Sequence, residues 1–260
     1  MKVLDIVLQG PIWKTTVDTA KYYLELPFVN KVIISTWDDE PINEYNENGI
    51  EVIKSNKPVN GVGNMNYQIV SSFEGIKKTE SKLVAKMRSD QIIHKDSMNY
   101  LNNFITDNID DTDLMYSDGS KRKGNVFVIG MNKIFPFHPQ DHIFWGYRED
   151  VYRVFDIPLK PARMKRDTAD FTKEVRCNIY LGAMYFKQFY PEVEKYIDNF
   201  EDYLVDNPKK LDALILSEKT RDKVFKVLPK FSMFWEKYKW DAYPYSWYGS
   251  MGEYYYEDLK

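Results

Sequence analysis

The chain has a single cysteine, Cys177, among 260 residues. No internal disulfide can form, and zinc ligation by a cysteine cluster is excluded. Serine–histidine or cysteine–histidine catalysis has no support, since Cys177 falls on what reads as the packing face of a helix. No apolar run approaches the ~18 residues that a membrane span needs. The first ten residues carry Asp5 inside an apolar, strand-forming run, so they read as a core strand rather than a signal segment. A charge excess of one sign is also missing: 36 basic and 39 acidic residues are mixed along the chain, for a net charge of −3. Without a basic field, nucleic acid is not expected as a partner. Gly61 and Gly63 are not followed by Gly-Lys-Ser/Thr, so that loop is not a P-loop. No repeat and no low-complexity linker divide the chain. These absences predict a soluble, cytoplasmic protein.

What is abundant is aromatic. There are 20 Tyr, 15 Phe and 6 Trp, 16% of the residues. That exceeds the need of a core this size and points to an aromatic-lined binding surface, because flat rings stack on sugars and bases. Residues 231–256 are the densest part. They mix acids with bases and lack the cationic face of an interfacial helix, so they read as core or lid, with sugar stacking a second option. Peripheral membrane contact is not expected.

The order of elements predicts an α/β fold. Apolar runs at 3–8, 31–35 and 50–53 read as buried parallel strands. A helix from Thr15 or Thr16 to Leu26 follows the first strand, and another is expected over residues 65–78, with Ile69, Phe73 and Ile76 on one face. Residues 83–87 form a further strand, covered by a helix over 97–105 that Asp96 caps. Residues 113–117 and 125–129 read as two more strands. The joint between them, with Lys121, Arg122 and Lys123, reads as a solvated turn, phosphate contact being the minor alternative. Residues 135–146 read as an aromatic loop leading into a helix over 148–155. Further helices are expected from Thr172, over 191–205 and over 209–216, and a late strand over 224–228. The alternation predicts a mostly parallel sheet with helices on both faces, residues 1–160 forming the binding core and residues 161–260 a helical, aromatic-rich region completing the same domain.

In such sheets ligands lie outside the carboxyl ends of the strands. The stretch ending in Lys86, Arg88 and Asp90 delivers two cations and a carboxylate to such an end. The loop from Gln9 through Gly10 and Pro11 to Trp13, and the ends at Ser35, Thr36 and Trp37, share its rim, as do Asn66 and Gln68 in a first helical turn. Asp90 is the leading candidate to hold a hard divalent cation, Mg²⁺ or Mn²⁺, that neutralises a diphosphate. The alternative is a strand-end ion pair with Arg88. His138, Asp141 and His142 form a second cluster. Asp141 and His142 either complete the metal site, or Asp141 serves as a general base, or it caps the segment that follows. Glu174 is a further candidate base, or a carboxylate favoured by its place in a first helical turn.

Taken in order, Ile6 to Ile12, Val32 to Trp37, Asn66-Tyr67-Gln68, Lys86 to Asp90, then Asp141, Gly146, Glu149 and Asp150 resemble the WavE lipopolysaccharide-synthesis family, a branch similar to GT-A-type glycosyltransferases. The resemblance spans residues 3–185. It implies a GT-A-like, Rossmann-related fold and transfer of a sugar from a nucleotide-sugar donor to a glycan acceptor in surface polysaccharide synthesis, lipopolysaccharide-type or capsule. It places the nucleotide over Gln9, Gly10, Pro11, Ser35, Thr36 and Trp37, and the diphosphate at Lys86, Arg88 and Asp90. The acceptor enters on the side of Asp141 and the aromatic C-terminal half. Two departures stand out: Tyr67 replaces the family's central Arg, and Arg88 replaces the first Asp of an Asp-X-Asp pair. The second departure motivates an alternative, a non-catalytic nucleotide- or carbohydrate-binding protein on the same fold.

Overall fold

The computed structural model describes residues 2–43, 45–59, 64–132, 135–159, 177–197, 208–235 and 240–242. The chain runs β1 (Leu4–Gln9), α1 (Thr16–Leu24), β2 (Val29–Trp37), β3 (Tyr45–Glu47), β4 (Ile50–Ser55), α2 (Met65–Lys77), β5 (Leu83–Arg88), β6 (Gln91–Ile93) and α3 (Lys95–Asn108). It continues through β7 (Phe127–Val128), β8 (Ile143–Tyr147), α4 (Arg148–Phe155), α5 (Cys177–Lys187), α6 (Glu194–Ile197), α7 (Pro208–Val224), β9 (Lys226–Val227), β10 (Met233–Trp235) and β11 (Trp240–Ala242).

Eight strands form one sheet in the order β3-β4-β2-β1-β5-β8-β7-β9. Its centre, β4-β2-β1-β5, is parallel. β3 and β8 pair antiparallel to β4 and β5, β7 is antiparallel to β8, and β9 joins β7 in parallel. The fold is therefore α/β with a mixed, mostly parallel sheet. Successive side chains of β1 point to opposite faces. Ile6 and Leu8 enter the core beneath α1 and α3, with Ala20, Tyr23, Met98 and Leu101. Val7 enters the opposite core with Ile33, Val84 and the apolar faces of α2, α4 and α5. Both faces of β1, β2 and β5 are largely buried, which is why they read as apolar runs with few interruptions. A second, three-stranded sheet, β11-β10-β6, is antiparallel and contains the segment immediately after Asp90.

Several expectations are corrected. Residues 143–146 of the expected aromatic loop, together with Tyr147, form β8, all five buried and paired to β5. With no polar alternation and Gly146 within it, this run carries no strand period. Residues 113–117 are not a strand: a single bridge, Met115 with Lys121, is all that forms. The expected solvated turn is solvated only at Lys121 and Lys123. Arg122 is 1% exposed and donates to the carbonyl oxygens of Lys223 and Val224 at 3.0 and 2.8 Å, closing the C-terminal end of α7. Asp96 lies in the first turn of α3, whose N-cap is His94. The helix expected over 209–216 continues to Val224. The helix expected over 191–205 begins as a 3-10 turn, Pro191–Val193, followed by α6. Thr172, Glu174 and residues 198–205 lie outside the described residues.

Candidate functional site

Gln9 and Arg88 are direct partners at the carboxyl ends of β1 and β5. From β1 the chain builds β2 and β4 on one side and β5 on the other, so the strand order reverses between β1 and β5. Such a switch point leaves a crevice where the flanking loops diverge. A cavity of about 340 Å³ occupies it. Trp37 and Tyr67, in ring contact, form one group in its lining and Arg88, Asp90 and Asp141 a charged group, with Gln9, Gly10, Pro11, Trp13, Asn64, Gln68 and Ser89 completing it.

The β1 loop is pinned in place by the β5 loop. Ser89 N–H donates to the Gln9 carbonyl at 3.0 Å, and Ser89 Oγ to that of Pro11 at 2.7 Å. Thr16 Oγ1 donates to the Ser89 carbonyl at 3.2 Å. Glu40 accepts from the Ile12 N–H at 3.0 Å. Gly10 has φ +130° and a Cβ there would sit 2.9 Å from Ser89 Oγ, so only glycine suits both backbone and space.

In the charged group, Arg88 grips Asp90 with two parallel hydrogen bonds, Nε to Oδ1 at 2.9 Å and Nη2 to Oδ2 at 2.7 Å. The Asp90 side chain is 2% exposed and that of Arg88 28%, so the guanidinium covers the carboxylate. Arg88 Nη1 lies 3.9 Å from Asp141 Oδ2. Asn178 Nδ2, from α5, donates to Asp141 Oδ1 at 3.3 Å. Burial pushes the Asp141 carboxyl up, but the charges of His142, Arg88 and Lys86 and the Asn178 bond outweigh it and hold it down to about 2. Burial pushes the His142 imidazole down to about 4, against the pull of Asp141. His142 is thus uncharged near neutral pH, and Arg88 and Lys86 are then the cations that keep Asp141 ionised.

The residues expected to hold a divalent cation do not fit one as they stand. Both Asp90 oxygens are taken by Arg88, and His142 Nδ1 lies 2.5 Å from Gln91 Nε2. The space between the Asp90 and Asp141 carboxylates is filled by a guanidinium. Among the described residues no three His, Cys, Asp or Glu side chains form a metal-binding group.

The other sequence candidates divide by burial. Gln9, Gly10, Pro11, Trp37, Gln68, Arg88, Asp90 and Asp141 line the cavity. Lys86 is fully buried instead: its Nζ donates to the Asp141 main-chain carbonyl at 2.8 Å and lies 5.6 Å from the Phe144 and Phe155 ring centres. Ser35 and Thr36 are fully buried, Ser35 Oγ donating to the Ser71 carbonyl at 2.6 Å. Asn66 Nδ2 donates to the Val59 carbonyl at 2.8 Å and braces the approach to α2. His138 is buried beside Phe135, away from the cavity wall. Trp13 was expected on the rim as the end of the β1 loop, whereas Asn64, Tyr67 and Ser89 were not among the expected site residues. For Tyr67 the available signal was its place one residue from Gln68, in the same first turn of a helix aimed at the rim.

The WavE lipopolysaccharide synthesis family model matches residues 5–197. The chain belongs to this family. No curated protein matches it. Among solved structures, this WavE-family chain is similar to S. aureus TarS 1–349, at 13% identity and TM-score 0.43, over 87% of this chain and 73% of that one. TarS 1–349 in complex with UDP-GlcNAc gives 12% and 0.38, over 86% and 82%. HddC from Yersinia pseudotuberculosis gives 13% and 0.33, over 65% and 86%. These scores are too low for the likenesses to carry an argument. A larger cavity, about 770 Å³, opens between α4 and α5 beside Arg148, Tyr152 and Arg153. It lies at the other end of β5, where Arg148 N–H bonds to the Lys82 carbonyl. Among the described residues no helix is long and apolar enough to cross a membrane.

Proposed function

We propose that this WavE-family chain is a glycosyltransferase that moves a sugar from a nucleotide-sugar donor to a glycan acceptor during surface polysaccharide synthesis. The carrying observation is the cavity at the β1/β5 switch point, where the Trp37–Tyr67 pair meets a charged group built from Arg88, Asp90 and Asp141. The cavity falls in the size range of small-ligand sites. In the reaction the bond from the anomeric carbon to the diphosphate breaks and a bond to the acceptor oxygen forms. Negative charge grows on the departing diphosphate, and Arg88, partly exposed in the wall, is the cation placed to meet it. Asp90 orients Arg88. Lys86 holds the Asp141 backbone and lends its charge from below.

In an inverting transfer Asp141 takes the acceptor proton. A carboxyl held near 2 is a weak base. A diphosphate that draws on Arg88 loosens that hold and lets the carboxyl rise toward its usual range. Glu174 is the other candidate base from the sequence.

The test is a panel of nucleotide sugars incubated with the full chain, followed by release of the nucleoside diphosphate. One donor should turn over, and Asp141→Asn should lower that rate at least a hundredfold while leaving the fold intact. No turnover of any donor, with or without added Mn²⁺ and glycan acceptors, would overturn the reading.

A further inference from the structure

Asp141 is delivered to the cavity by a segment held against its own backbone preference. Phe137, fully buried, has φ +53°, a left-handed conformation that a bulky residue adopts only under constraint. The constraints come from several elements. Its N–H donates to Ser217 Oγ of α7 at 2.8 Å, and its ring packs on Phe186 of α5, centres 5.1 Å apart. The His138 carbonyl accepts from the Asn132 N–H at 2.8 Å, and the Gln140 N–H donates to the Gly130 carbonyl at 2.9 Å. α5 lies so close that a Cβ on Gly182 would overlap the Phe137 carbonyl oxygen and sit 2.5 Å from Pro139 Cδ. Asn178 stands one helical turn before Gly182, hence on the same face of α5. It donates from Nδ2 to Asp141 Oδ1 at 3.3 Å.

The geometry points to Asn178 as the positioning residue for Asp141, with Gly182 the residue that lets α5 come close enough for the bond to form. This assignment rests on the glycosyl-transfer reading. There the acceptor O–H gives its proton to Asp141 while its oxygen joins the anomeric carbon and the bond from that carbon to the diphosphate breaks. Three contacts bracket Asp141: Lys86 holds its main-chain carbonyl, Arg88 Nη1 stands 3.9 Å from Oδ2, and Asn178 holds Oδ1. They differ in what a ligand does to them. Arg88 is the cation that a diphosphate draws on, so its pull on Oδ2 weakens as donor binds. Lys86 grips the backbone and leaves rotation of the carboxyl group open. Asn178 is a neutral donor on a different element, so its hold on Oδ1 persists when Arg88 turns to the donor. Oδ2 is then the oxygen that takes the proton. A cation in place of Asn178 would pull the carboxyl lower still and make it a poorer base.

The test is a double-mutant cycle on the full chain, pairing Asn178→Ala with Asp141→Asn for donor turnover and with Asp141→Ala for urea unfolding. Circular dichroism confirms that each variant folds. Asn178→Ala should lower kcat about tenfold or more and leave the donor KM within about twofold of the parent, because a misplaced base costs rate and not donor binding. In the Asp141→Asn background the same substitution should change the rate by no more than about twofold, since the group it positions is already gone. In unfolding, the losses from Asn178→Ala and Asp141→Ala should be non-additive. Three results would overturn the assignment: additive losses in unfolding, an unchanged kcat in Asn178→Ala, or an equal loss of rate with and without Asp141, the mark of a merely structural helix contact. Non-additive unfolding in a chain that turns over no donor would sustain the hold on Asp141 and sink the transferase reading. Turnover that Asn178→Ala leaves untouched would do the reverse.

Discussion

The buried ammonium of Lys86 is tied to the main-chain carbonyl of Asp141 by a 2.8 Å hydrogen bond. The bond crosses from β5 to the start of β8 and fixes where Asp141 enters the cavity. Lys86→Met removes the bond and one of the charges holding the Asp141 carboxyl down, while filling similar volume. Donor turnover should fall about tenfold or more, and the acid limb of its pH profile should move upward as the carboxyl rises. Stability should change by no more than about 2 kcal/mol, because a buried cation replaced by an apolar chain also sheds its desolvation cost. Steady-state rates across pH, beside thermal melts, check both parts.

Arg88 covers Asp90, and Arg88→Ala strips that buried carboxylate of its two-bond cationic partner. The expected cost is roughly 2–4 kcal/mol, at or below the range for breaking a buried pair, because Arg88 is itself partly solvated. Arg88→Ala with Asp90→Ala should recover part of it. The double-mutant cycle by urea unfolding measures the coupling. Activity should not recover in the double variant, since the cation facing the diphosphate is gone.

The same fork predicts the response to chelators. With both Asp90 oxygens engaged by Arg88, donor turnover in EDTA should remain within about threefold of the rate with Mn²⁺, a difference of well under 1 kcal/mol in barrier. A rate that collapses in EDTA and returns with Mn²⁺ would show that Arg88 yields its place to a metal.

Gly10→Ala combines a left-handed backbone with a Cβ 2.9 Å from Ser89 Oγ. The expected loss is about 1–3 kcal/mol of stability, with weaker nucleotide binding as the β1 loop shifts. Gly119, also at positive φ but with open space around it, offers a control: its alanine variant carries the backbone strain without the clash, and nucleotide binding should hold.

Two buried groups beside the cavity contribute to the acid limit. His142 is depressed from its usual 6.5 to about 4, so between those values the unfolded chain binds a proton that the folded chain refuses. Its contribution is full above about 6.5 and is lost as pH falls toward 4. Asp141 is depressed from 3.8 to about 2, so its contribution is present above 3.8 and lost as pH falls through 2. Melting temperature should therefore drop in two overlapping steps on acidification. His142→Asn should flatten the step between pH 6.5 and 4 and shrink the lower one, because the His142 charge is the largest of those holding the Asp141 carboxyl down.

The parallel centre was legible because β1, β2 and β5 are buried on both faces and hold apolar runs with few interruptions. β8 has the same burial, but Phe144, Trp145 and Gly146 follow a stretch with Pro136, Pro139 and Asp141, which masks a five-residue strand as loop. Arg122 sits between two lysines and reads as solvated. Its partners, the carbonyls of Lys223 and Val224, lie about a hundred positions later, and no local pattern announces them. The charged group of the cavity was visible as strand-end residues. The aromatic pair was only half visible, because Tyr67 gains its place from Trp37 on a different element. Ser35 and Thr36 share the strand end of Trp37 but are sealed inside the fold.

The strand that follows Asp90 has a delayed partner. β6 is framed by β10, which aligns Trp235 with Gln91, and Gln91 in turn meets His142. A chain emerging from the ribosome therefore presents Arg88 and Asp90 some 140 residues before the support for their neighbouring strand exists. The parallel centre has its pieces early, whereas this corner closes only once residue 235 is free of the exit tunnel. Fragments ending before Met233 should hold a folded sheet with an unfinished binding edge, and nonsense truncations there should abolish function before they abolish folding.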